Sequence, residues 1–581
     1  MNKASPLVRC GLVSLIILSA PLEALTFQAS SKTPTIPPAQ QASAKRKAKR
    51  QGKPGPEKNF EQGYSVQSPS PEQMIMEPLA YPPEPNAAQK AILEKSIREI
   101  PRYPLPPVPR ATGPIASPPP KSNTERDVPA ATGLTTSQYL ENPLSARELA
   151  MVSQDGSSTL NQLLESLAAT PLPQRPSSLL RFLTSDVLPP GNGSFTINEP
   201  SVAQSGKFVF YTGNWYAARS TDGGASWSFF IPWTGMPDFC CDQEVVHDRG
   251  RHLFLWYRQG AKRFVLSASS DGGAGWCSYS IRPTFINGAW NTDQSFDFPH
   301  LALGNNFLYI LTGVKGTNIK PGSTVLFRFP LDMFAGCKTA PVGFWLALDS
   351  WSAPVQGATN VMYFGSHLGR TSKFRIYELP ESGSGLSWRE FDIPRWNMEL
   401  GGTCPSPDGL NWCVRSHSII RAGWVANGTV GFMWNARQSD RFPFAYIEAA
   451  TFNQKKNLEY VGRPLIWGTD GAWHYPFVSP NARGDLGVTA YFANAKTFPS
   501  PHALIADDFS PPPAPWQAFK LVDGKSGSVG WGDYARNRVF QPSQLGWVMA
   551  VYTMQGKSPA PKFMIVGRDR DATSMDRFWQ K

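Results

Sequence analysis

One apolar strand pattern recurs seven times in the second two thirds of the chain. Each copy is a short run with large apolar side chains on both faces, such as KFVFYTG around Phe208. A strand of this kind is typical of a position that is buried on both sides between packed sheets. The copies begin about 45 to 70 residues apart, at Phe208, Leu253, Phe307, Val361, Val430, Leu486 and Trp547.

Further strands flank each copy. A strand with a turn precedes it, a third strand follows it, and most copies have a fourth, such as SWREFDIP after Val361. Four strands at this spacing indicate the blades of a β-propeller. We therefore predict an all-β, seven-bladed β-propeller over residues 191–570, with six blades as the alternative and a tail over 571–581. Since the last copy lacks a clear fourth strand, we expect ring closure to borrow one from near Phe195.

A Pro-rich segment precedes the repeats and contains none of the 19 Trp residues. We predict that residues 25–86 are disordered and that residues 87–190 form a linker with short helices. Capping-box patterns predict helices from Asn86 to Ile100 and from Ser145 to about Ser153, and Leu160–Leu167 carries the apolar stripe of another. These helices either pack on the repeat region or bind a partner.

The first 24 residues have the pattern of a secretory signal. Lys3 and Arg9 precede the apolar stretch Cys10–Ala20, which is too short to span a bilayer, and cleavage is expected near Ala20 or Ala24. No later segment reaches 18 consecutive apolar residues. The sequence therefore predicts a secreted or periplasmic protein that we expect to be a monomer.

The net charge of +12 comes largely from one short run. Ala44–Lys58 holds seven Lys or Arg and one Glu, which is half of the excess. Such a run among Ser, Pro and Gln is typical of a solvated tail. It predicts no specific nucleic-acid partner, although it would allow contact with an anionic surface.

Cysteine usage fits an oxidising compartment. Six cysteines follow the signal segment, and an even number in an exported protein suggests disulfides. Cys404 and Cys413 enclose the turn-rich loop PSPDGLNW and are the predicted pair. The others are left unassigned: Cys240, Cys241, Cys277 and Cys337. A zinc site is not favoured, because no C-x-x-C pair occurs and vicinal cysteines are poor zinc ligands.

Two turns share the form S-x-D-x-G-x-x-W. They are STDGGASW at Ser220–Trp227 and SSDGGAGW at Ser269–Trp276, one repeat apart, and each joins a third strand to a fourth. In such a turn the Asp can accept backbone N–H bonds, the Gly allows positive φ, and the Trp folds back as an anchor. The residues with these structural roles are Ser220, Asp222, Gly224, Trp227, Ser269, Asp271, Gly273 and Trp276. Degenerate copies occur at Ser382–Trp388 and Ser510–Trp516.

These turns resemble the Asp-box, or bacterial neuraminidase repeat, of sialidase-like β-propellers, over roughly residues 195–570. The resemblance implies that the boxes lie on the blade periphery and have a structural role. Sialidases also resemble one another in an Arg-Ile-Pro element, an Arg triad, a Tyr–Glu pair and an Asp acid/base on a six-bladed domain. This sequence has no Arg-Ile-Pro element, so the resemblance implies the fold rather than the reaction.

Candidate functional residues open three of the predicted first strands, in the segments CCDQE, TDQSFD and GWGDYAR. First strands line the central channel of a propeller, so these segments would converge on one mouth. The candidate catalytic residues are Asp242, Glu244, Asp293, Asp533 and Tyr534. Asp242, Asp293 and Asp533 could instead bind Ca²⁺ through oxygen ligands, or merely cap strand turns.

Two classes of function are compatible with this mouth. The first is a secreted binding module that engages a glycan or other extracellular ligand without catalysis, and we favour it because the Arg-Ile-Pro element is missing. The second is a sialidase-like glycoside hydrolase or lyase that uses the channel-mouth carboxylates as acid and base. A third is a structural envelope protein held by the basic tail.

Overall fold

The structure is a computed structural model of the chain. The residues that it describes are 72–77, 98–99, 180–187, 198–230, 232, 236, 238–286, 294–316, 323–348, 352–368, 372–397, 402–414, 416–510, 516–528, 531–556 and 558–576.

Nearly all regular structure is β-strand. Three strands lie ahead of the repeats: β1 (Glu72–Met76), β2 (Arg98–Glu99) and β3 (Leu180–Asp186). The next twelve are β4 (Ser201–Ser205), β5 (Phe208–Thr212), β6 (Ala217–Ser220), β7 (Ser226–Phe230), β8 (Phe239–Asp248), β9 (Leu253–Gly260), β10 (Phe264–Ser269), β11 (Cys277–Ile281), β12 (Ser295–Leu303), β13 (Phe307–Lys315), β14 (Thr324–Pro330) and β15 (Ala340–Leu348). The rest are β16 (Ala353–Gln356), β17 (Val361–His367), β18 (Lys373–Pro380), β19 (Ser387–Asp392), β20 (Ile420–Ala426), β21 (Thr429–Ala436), β22 (Tyr446–Asn453), β23 (Glu459–Gly462), β24 (Ala472–Pro480), β25 (Leu486–Asn494), β26 (Thr497–Ala506), β27 (Gln517–Lys520), β28 (Asn537–Val539), β29 (Trp547–Gln555) and β30 (Ser558–Arg568).

Helices are short. They are α1 (Pro283–Ile286), α2 (Leu331–Ala335), α3 (Ala572–Asp576) and single 3₁₀ turns at Gln454–Lys456 and Asp569–Asp571. Among the described residues, none is long and apolar enough to cross a bilayer.

The repeats fold as antiparallel sheets of consecutive strands. β4–β7, β8–β11, β12–β15 and β24–β27 each form the four-stranded core of one sheet. β16–β19 and β20–β23 do the same as halves of an eight-stranded sheet, which β16 and β20 join by parallel pairing. β28, β29 and β30 are completed by β3, which pairs with β30 from Leu180–Arg568 to Asp186–Lys562.

The first strands of these units form a closed ring. β4, β8, β12, β16, β20, β24 and β28 each contact the next in this order, and β28 contacts β4. A ring of antiparallel sheets around its own first strands is the architecture of a β-propeller. The prediction of an all-β propeller is therefore confirmed.

The second strand of each unit supplies much of the core. These strands are β5, β9, β13, β17, β21, β25 and β29, and they begin at or one residue before the positions predicted from the repeat. Every residue of β9 is buried, and the others are buried along most of their length. Burial on both faces follows because each sheet packs against a sheet on either side.

The N-terminal part of the chain adds strands to the outer edges of three sheets. β1 pairs with β15, β2 pairs with β7, and β3 pairs with β30. In β1, Met74 and Met76 are buried, whereas Ile75 between them is 65% exposed. Each added strand covers backbone groups that an open edge would leave unpaired.

These strands correct three expectations. Disorder over 25–86 is wrong for Glu72–Met76, since two buried Met anchor that strand. The helix expected up to Ile100 is wrong at Arg98–Glu99, where pairing with β7 prevails over helix propensity. A closing strand is borrowed as expected, but it is Leu180–Asp186, so the propeller boundary at 191 is also wrong. The signal segment, the basic run and the remaining predicted helices lie outside the described residues.

All six cysteines of the repeat region lie at disulfide distance in pairs. The predicted Cys404–Cys413 pair is confirmed. Cys277 pairs with Cys337, sixty residues later, and ties the start of β11 to the loop after α2. The vicinal Cys240 and Cys241 pair with each other within β8.

Candidate functional site

Ionisable side chains from several first strands meet inside the ring. We call this group the channel cluster. It comes from the segment before β4, from β8, β12 and β20, and from the segment before β28. Its members are Glu199, Asp242, Asp297, Arg421, Asp533, Tyr534 and Arg536.

Two carboxyl groups of the channel cluster lie in contact with each other. They belong to Glu199 and Asp242, which are both buried. Burial and the nearby carboxylates of Glu199 and Asp297 raise the pKa of Asp242 well above its usual value. Burial and Asp533 also raise the pKa of Glu199. Both shifts have the same physical cause, because burial and neighbouring negative charge disfavour the ionised form of each carboxyl group.

Glu199 is held in place by neighbours on two elements. Its Oε1 accepts a bond from the backbone N–H of Asp533 at 2.8 Å. Its Oε2 accepts one from Nδ2 of Asn214 at 2.6 Å, and its own backbone N–H donates to Oδ1 of Asn214 at 2.7 Å. Glu199 therefore links the first unit of the ring to the last.

Arg421 brings a positive charge to this group. Its side chain is 1% exposed, donates to the backbone carbonyl of Asp533, and has Nη2 3.6 Å from Oδ1 of Asp533. The guanidinium also lies over the ring of Phe298, 5.1 Å from its centroid. Burial lowers the pKa of Arg421, although Asp533 opposes this. Nε of Arg421 has no hydrogen-bond partner among the described residues, which leaves one buried donor for a ligand or water.

Glu244 is engaged in a buried ion-pair network. Its side chain is 0% exposed, and Nε of Arg536 lies 3.1 Å from its Oε1. Arg538 donates to the same oxygen, and the backbone N–H of Leu301 donates to Oε2 at 3.2 Å. With these partners, Glu244 stabilises the ring and is not accessible to a substrate.

Tyr534 is buried beneath the mouth. Its hydroxyl lies 3.4 Å from the carbonyl oxygen of Gln243, and its ring packs on Phe298 and on the guanidinium of Arg536. Burial and the carboxylate of Asp242 raise the pKa of Tyr534 well above its usual value. Tyr534 therefore stays a neutral phenol, which is a poor nucleophile.

The rim of the cluster is partly exposed. Asp533 and Asp297 have side chains that are 21% and 23% exposed, and Asp297 pairs with Lys315. Nε2 of Gln259 lies 3.3 Å from both Oδ1 of Asp297 and Sγ of Cys241. Solvent thus reaches the cluster at these carboxylates, beside the vicinal disulfide.

The structure brings four of the five candidate residues into one region. Asp533 lies close enough to raise the pKa of both Asp242 and Glu199, and Tyr534 lies close enough to Asp242 and Glu244 for their charges to raise its own pKa. Asp293 lies outside the described residues. Glu199 and Arg421 were not predicted, because neither belongs to a motif and their proximity depends on ring closure.

A Ca²⁺ ion would fit this group only with changes. The carboxylates of Glu199, Asp242 and Asp533 are oxygen ligands of the required kind. However, Ca²⁺ needs ionised carboxylates, burial disfavours the ionised form of Asp242, and the guanidinium of Arg421 already pairs with Asp533. The residues present suit a hydrogen-bonding ligand better than a bare divalent cation.

The first S-x-D-x-G-x-x-W turn has the expected bonds. Asp222 accepts from the backbone N–H of Ser226 at 2.9 Å and from the hydroxyls of Ser226 and Ser220 at 2.6 and 2.8 Å. Ser220 Oγ accepts a bond from the backbone N–H of Gly224 at 2.8 Å. The φ angle of Gly224 is +93°. Partial burial opposes ionisation, but the bonds from Ser226 lower the pKa of Asp222.

The second turn repeats this pattern. Asp271 accepts from the hydroxyl of Ser269 at 2.7 Å and from the backbone N–H groups of Ala274 and Gly275, both at 2.9 Å. Ser269 Oγ accepts from the backbone N–H of Gly273, where φ is +86°. Both turns therefore order their own backbone rather than a ligand.

The Trp of each turn packs across to the preceding sheet. The ring of Trp227 lies 5.7 Å from that of Phe563 in β30, and Trp276 lies 4.9 Å from Phe210 in β5. In the degenerate copy, Trp516 is fully buried and donates to the carbonyl of Pro464 beyond β23. These Trp residues hold neighbouring sheets together at the periphery, away from the channel cluster.

Comparisons with known proteins find only distant structural similarity. No protein-family profile and no curated protein sequence matches the chain. Among solved structures, the Dos1 propeller has a TM-score of 0.34 at 10% identity, covering 62% of this chain and 75% of that one. An α-L-arabinanase from Penicillium chrysogenum has 0.31 at 11%, covering 64% and 93%. A Trypanosoma rangeli sialidase has 0.31 at 10%, covering 58% and 56%.

Proposed function

We propose that the protein is an exported, seven-bladed propeller of the Asp-box type that binds a glycan at its channel cluster without cleaving it. The blade count rests on the seven units around the ring, with β16–β19 and β20–β23 taken as separate blades. The Asp-box assignment rests on the two turns and their peripheral Trp residues.

The contact between Glu199 and Asp242 carries the proposal of binding without catalysis. Glycosidases need two carboxyl groups about 5 to 9.5 Å apart, so that a sugar or a water fits between them. Carboxyls in direct contact are too close to flank a glycosidic bond. They can, however, accept and donate hydrogen bonds to sugar hydroxyls.

The surrounding groups support a polyhydroxylated ligand. Asp533 and Asp297 offer partly exposed acceptors, and the Nε–H of Arg421 has no partner within the part of the chain that the structure describes. Sugar hydroxyls both donate and accept, so they can satisfy such a mixed set. The vicinal disulfide Cys240–Cys241 lies beside this group, since Gln259 contacts both Sγ of Cys241 and the carboxylate of Asp297.

A glycan array combined with a panel of chromogenic glycosides tests this function. The full chain should bind at least one glycan class and release no chromophore. Asp533→Asn should weaken that binding by at least about tenfold, whereas Asp392→Asn, at an exposed pair with Lys373, should not change it. Binding of no glycan would refute the proposal.

A hydrolase or lyase remains the second candidate, because a carboxyl group with a raised pKa, as at Asp242, suits an acid catalyst. Chromophore release that Asp242→Asn abolishes would establish it in place of binding. A Ca²⁺ role would show as a lower melting temperature with chelator, which Asp242→Ala would remove. Surface contact through Ala44–Lys58 stays a prediction.

A further inference from the structure

Trp215 differs in position from the other partly exposed tryptophans. Most Trp residues that the structure describes are buried, and three of them are half-buried: Trp215, Trp276 and Trp388. Trp276 and Trp388 belong to the second S-x-D-x-G-x-x-W turn and to a degenerate copy, on outer hairpins of the ring. Trp215 instead lies in the turn between β5 and β6 of the first unit. Its exposure therefore has to be explained by something other than these turns.

The turn that carries Trp215 is fixed against the channel cluster. β5 runs antiparallel to β4 and ends at Thr212, opposite the first residue of β4, so the turn lies at the end of the sheet where Glu199 lies. Asn214 in this turn donates to Oε2 of Glu199 at 2.6 Å. Nε2 of Gln243 in β8 donates to the backbone carbonyl of the residue before Asn214 at 2.5 Å. Trp215 is therefore held beside the cluster by residues of two units.

Trp215 continues into a half-buried apolar surface at the start of β8. Its ring lies 5.9 Å from that of Phe239, edge to face, and Phe239 is followed directly by the disulfide-bonded Cys240 and Cys241. All four residues are half-buried, and we call them the mouth patch. Gln259 contacts both sulfurs of the disulfide and also a carboxylate of the channel cluster. The mouth patch thus meets the channel cluster at a second point.

We propose that the mouth patch binds one face of a pyranose ring of the glycan, with Trp215 as the surface on which the sugar stacks. The inference rests on the proposed function and adds which part of the sugar is recognised. The face of a pyranose ring carries C–H groups, whereas its hydroxyls project from the edge. The negative face of an indole attracts such C–H groups, and sulfur adds polarizable apolar contact. The hydroxyls at the ring edge then bind the partly exposed carboxylates of Asp533 and Asp297.

The stacking surface is already ordered before a sugar arrives. A Cβ atom at Gly213 would lie only 2.5 Å from the ring of Tyr216, so the turn is packed too tightly for a larger residue there. Gln243, which holds the turn, is itself fixed, because its Oε1 accepts a bond from Nε1 of Trp256 at 2.9 Å. A rigid aromatic side chain loses little conformational entropy when it binds, which favours affinity. This order suits Trp215 to selecting a ring-shaped ligand.

Binding of three probes to the full chain tests the proposal. The probes are methyl β-D-glucopyranoside, methyl β-D-galactopyranoside and the oligosaccharide that binds most tightly on the glycan array. Trp215→Ala should weaken every probe that binds the wild type by at least about tenfold. Trp215→Phe keeps an aromatic ring and should restore most of the affinity. Trp388→Ala is the matched control and should change nothing, since Trp388 is also half-buried but packs on Tyr377 and Arg375 at the periphery.

The outcomes separate this inference from the glycan-binding proposal. If Asp533→Asn weakens binding while Trp215→Ala changes it by less than about twofold, glycan binding stands and the role of the mouth patch is overturned. If the wild type binds no probe, both are overturned.

Hydroxyl-radical footprinting of the wild type decides if Trp215→Ala does not fold. Oxidation is mapped by mass spectrometry with and without the tightest-binding probe. The probe should protect Trp215 and leave Trp388 unchanged. Equal oxidation of Trp215 in both samples overturns the inference.

Discussion

Glu244 carries a single negative charge between two guanidinium groups inside the ring. Replacing it with Gln keeps the size of the side chain and removes the charge. Arg536 and Arg538, which are almost fully buried, would then lack their carboxylate. We expect Glu244→Gln to lower stability strongly, because buried cations without a counter-charge are costly.

The expected magnitude follows from the burial of all three groups. Breaking a buried ion pair by removing one partner costs about 3–5 kcal/mol. For a large domain this corresponds to a fall in melting temperature of roughly 5 °C or more. The matched control is Glu390→Gln, since Glu390 pairs with Arg375 but is 49% exposed. That exposed pair should contribute less than about 1 kcal/mol.

Differential scanning fluorimetry of the two variants beside the wild type gives the comparison. A Glu244→Gln melting temperature within 1 °C or so of the control would refute the stabilising role of Glu244. Loss of ligand binding or turnover at unchanged stability would instead place Glu244 in the functional site.

Other predictions follow from the same structure. Because burial raises the pKa of Asp242, the native state binds a proton more tightly than the unfolded state does, so wild-type stability should fall as pH rises from about 4. Asp242→Asn should lack this slope in melting curves from acid to neutral pH, and parallel slopes would contradict the raised pKa of Asp242. Replacing Cys277 and Cys337 with Ala opens a loop of sixty residues and should cost roughly 3–5 kcal/mol in denaturant unfolding, whereas no change would refute the pairing. Asp222→Ala removes three hydrogen bonds that the carboxylate accepts and should lower the free energy of unfolding by about 1–3 kcal/mol in denaturant unfolding. A decrease below about 0.5 kcal/mol would show that these bonds do not stabilise the turn. A chain lacking residues 1–186 should aggregate at concentrations where one lacking residues 1–170 stays in solution, because only the first exposes the edge of β30.

The repeat was predictable because its signal is local. Each second strand is apolar on both faces within a few residues, and the strands observed at Leu253 and Trp547 begin where the pattern placed them. The turn at Ser220–Trp227 was equally readable, since its hydrogen bonds join residues at most four apart. Cys404–Cys413 followed from a short loop for the same reason.

The edge strands were not predictable in this way. Glu72–Met76 and Arg98–Glu99 gain their conformation from partners in β15 and β7, well over a hundred residues further along the chain. Their own sequence, rich in Pro nearby and poor in aromatic residues, favours disorder or a helix. These segments become strands because they pair with the edge of a distant sheet, which stabilises the extended conformation over disorder or a helix.

Only part of the candidate site could be predicted from the sequence. Asp242 and Asp533 were found because first strands must converge in a propeller, which is a property of the fold. Glu199 was missed because it lies just ahead of β4 without any motif, and Arg421 because its segment lacks the acidic residues that mark the other three. Their contact with Asp533 depends on how the last unit meets the first.

The pairing of β3 with β30 also imposes an order of assembly on the polypeptide. Leu180 pairs with Arg568, so nearly four hundred residues must be synthesised after Leu180 before the last sheet can be completed. The four consecutive strands of each earlier unit are near neighbours and can pair as they emerge, while this sheet requires both ends of the repeat region. A chain stopped before Ser558 would lack β30, so the last sheet would be incomplete and β3 would be free to pair with another molecule.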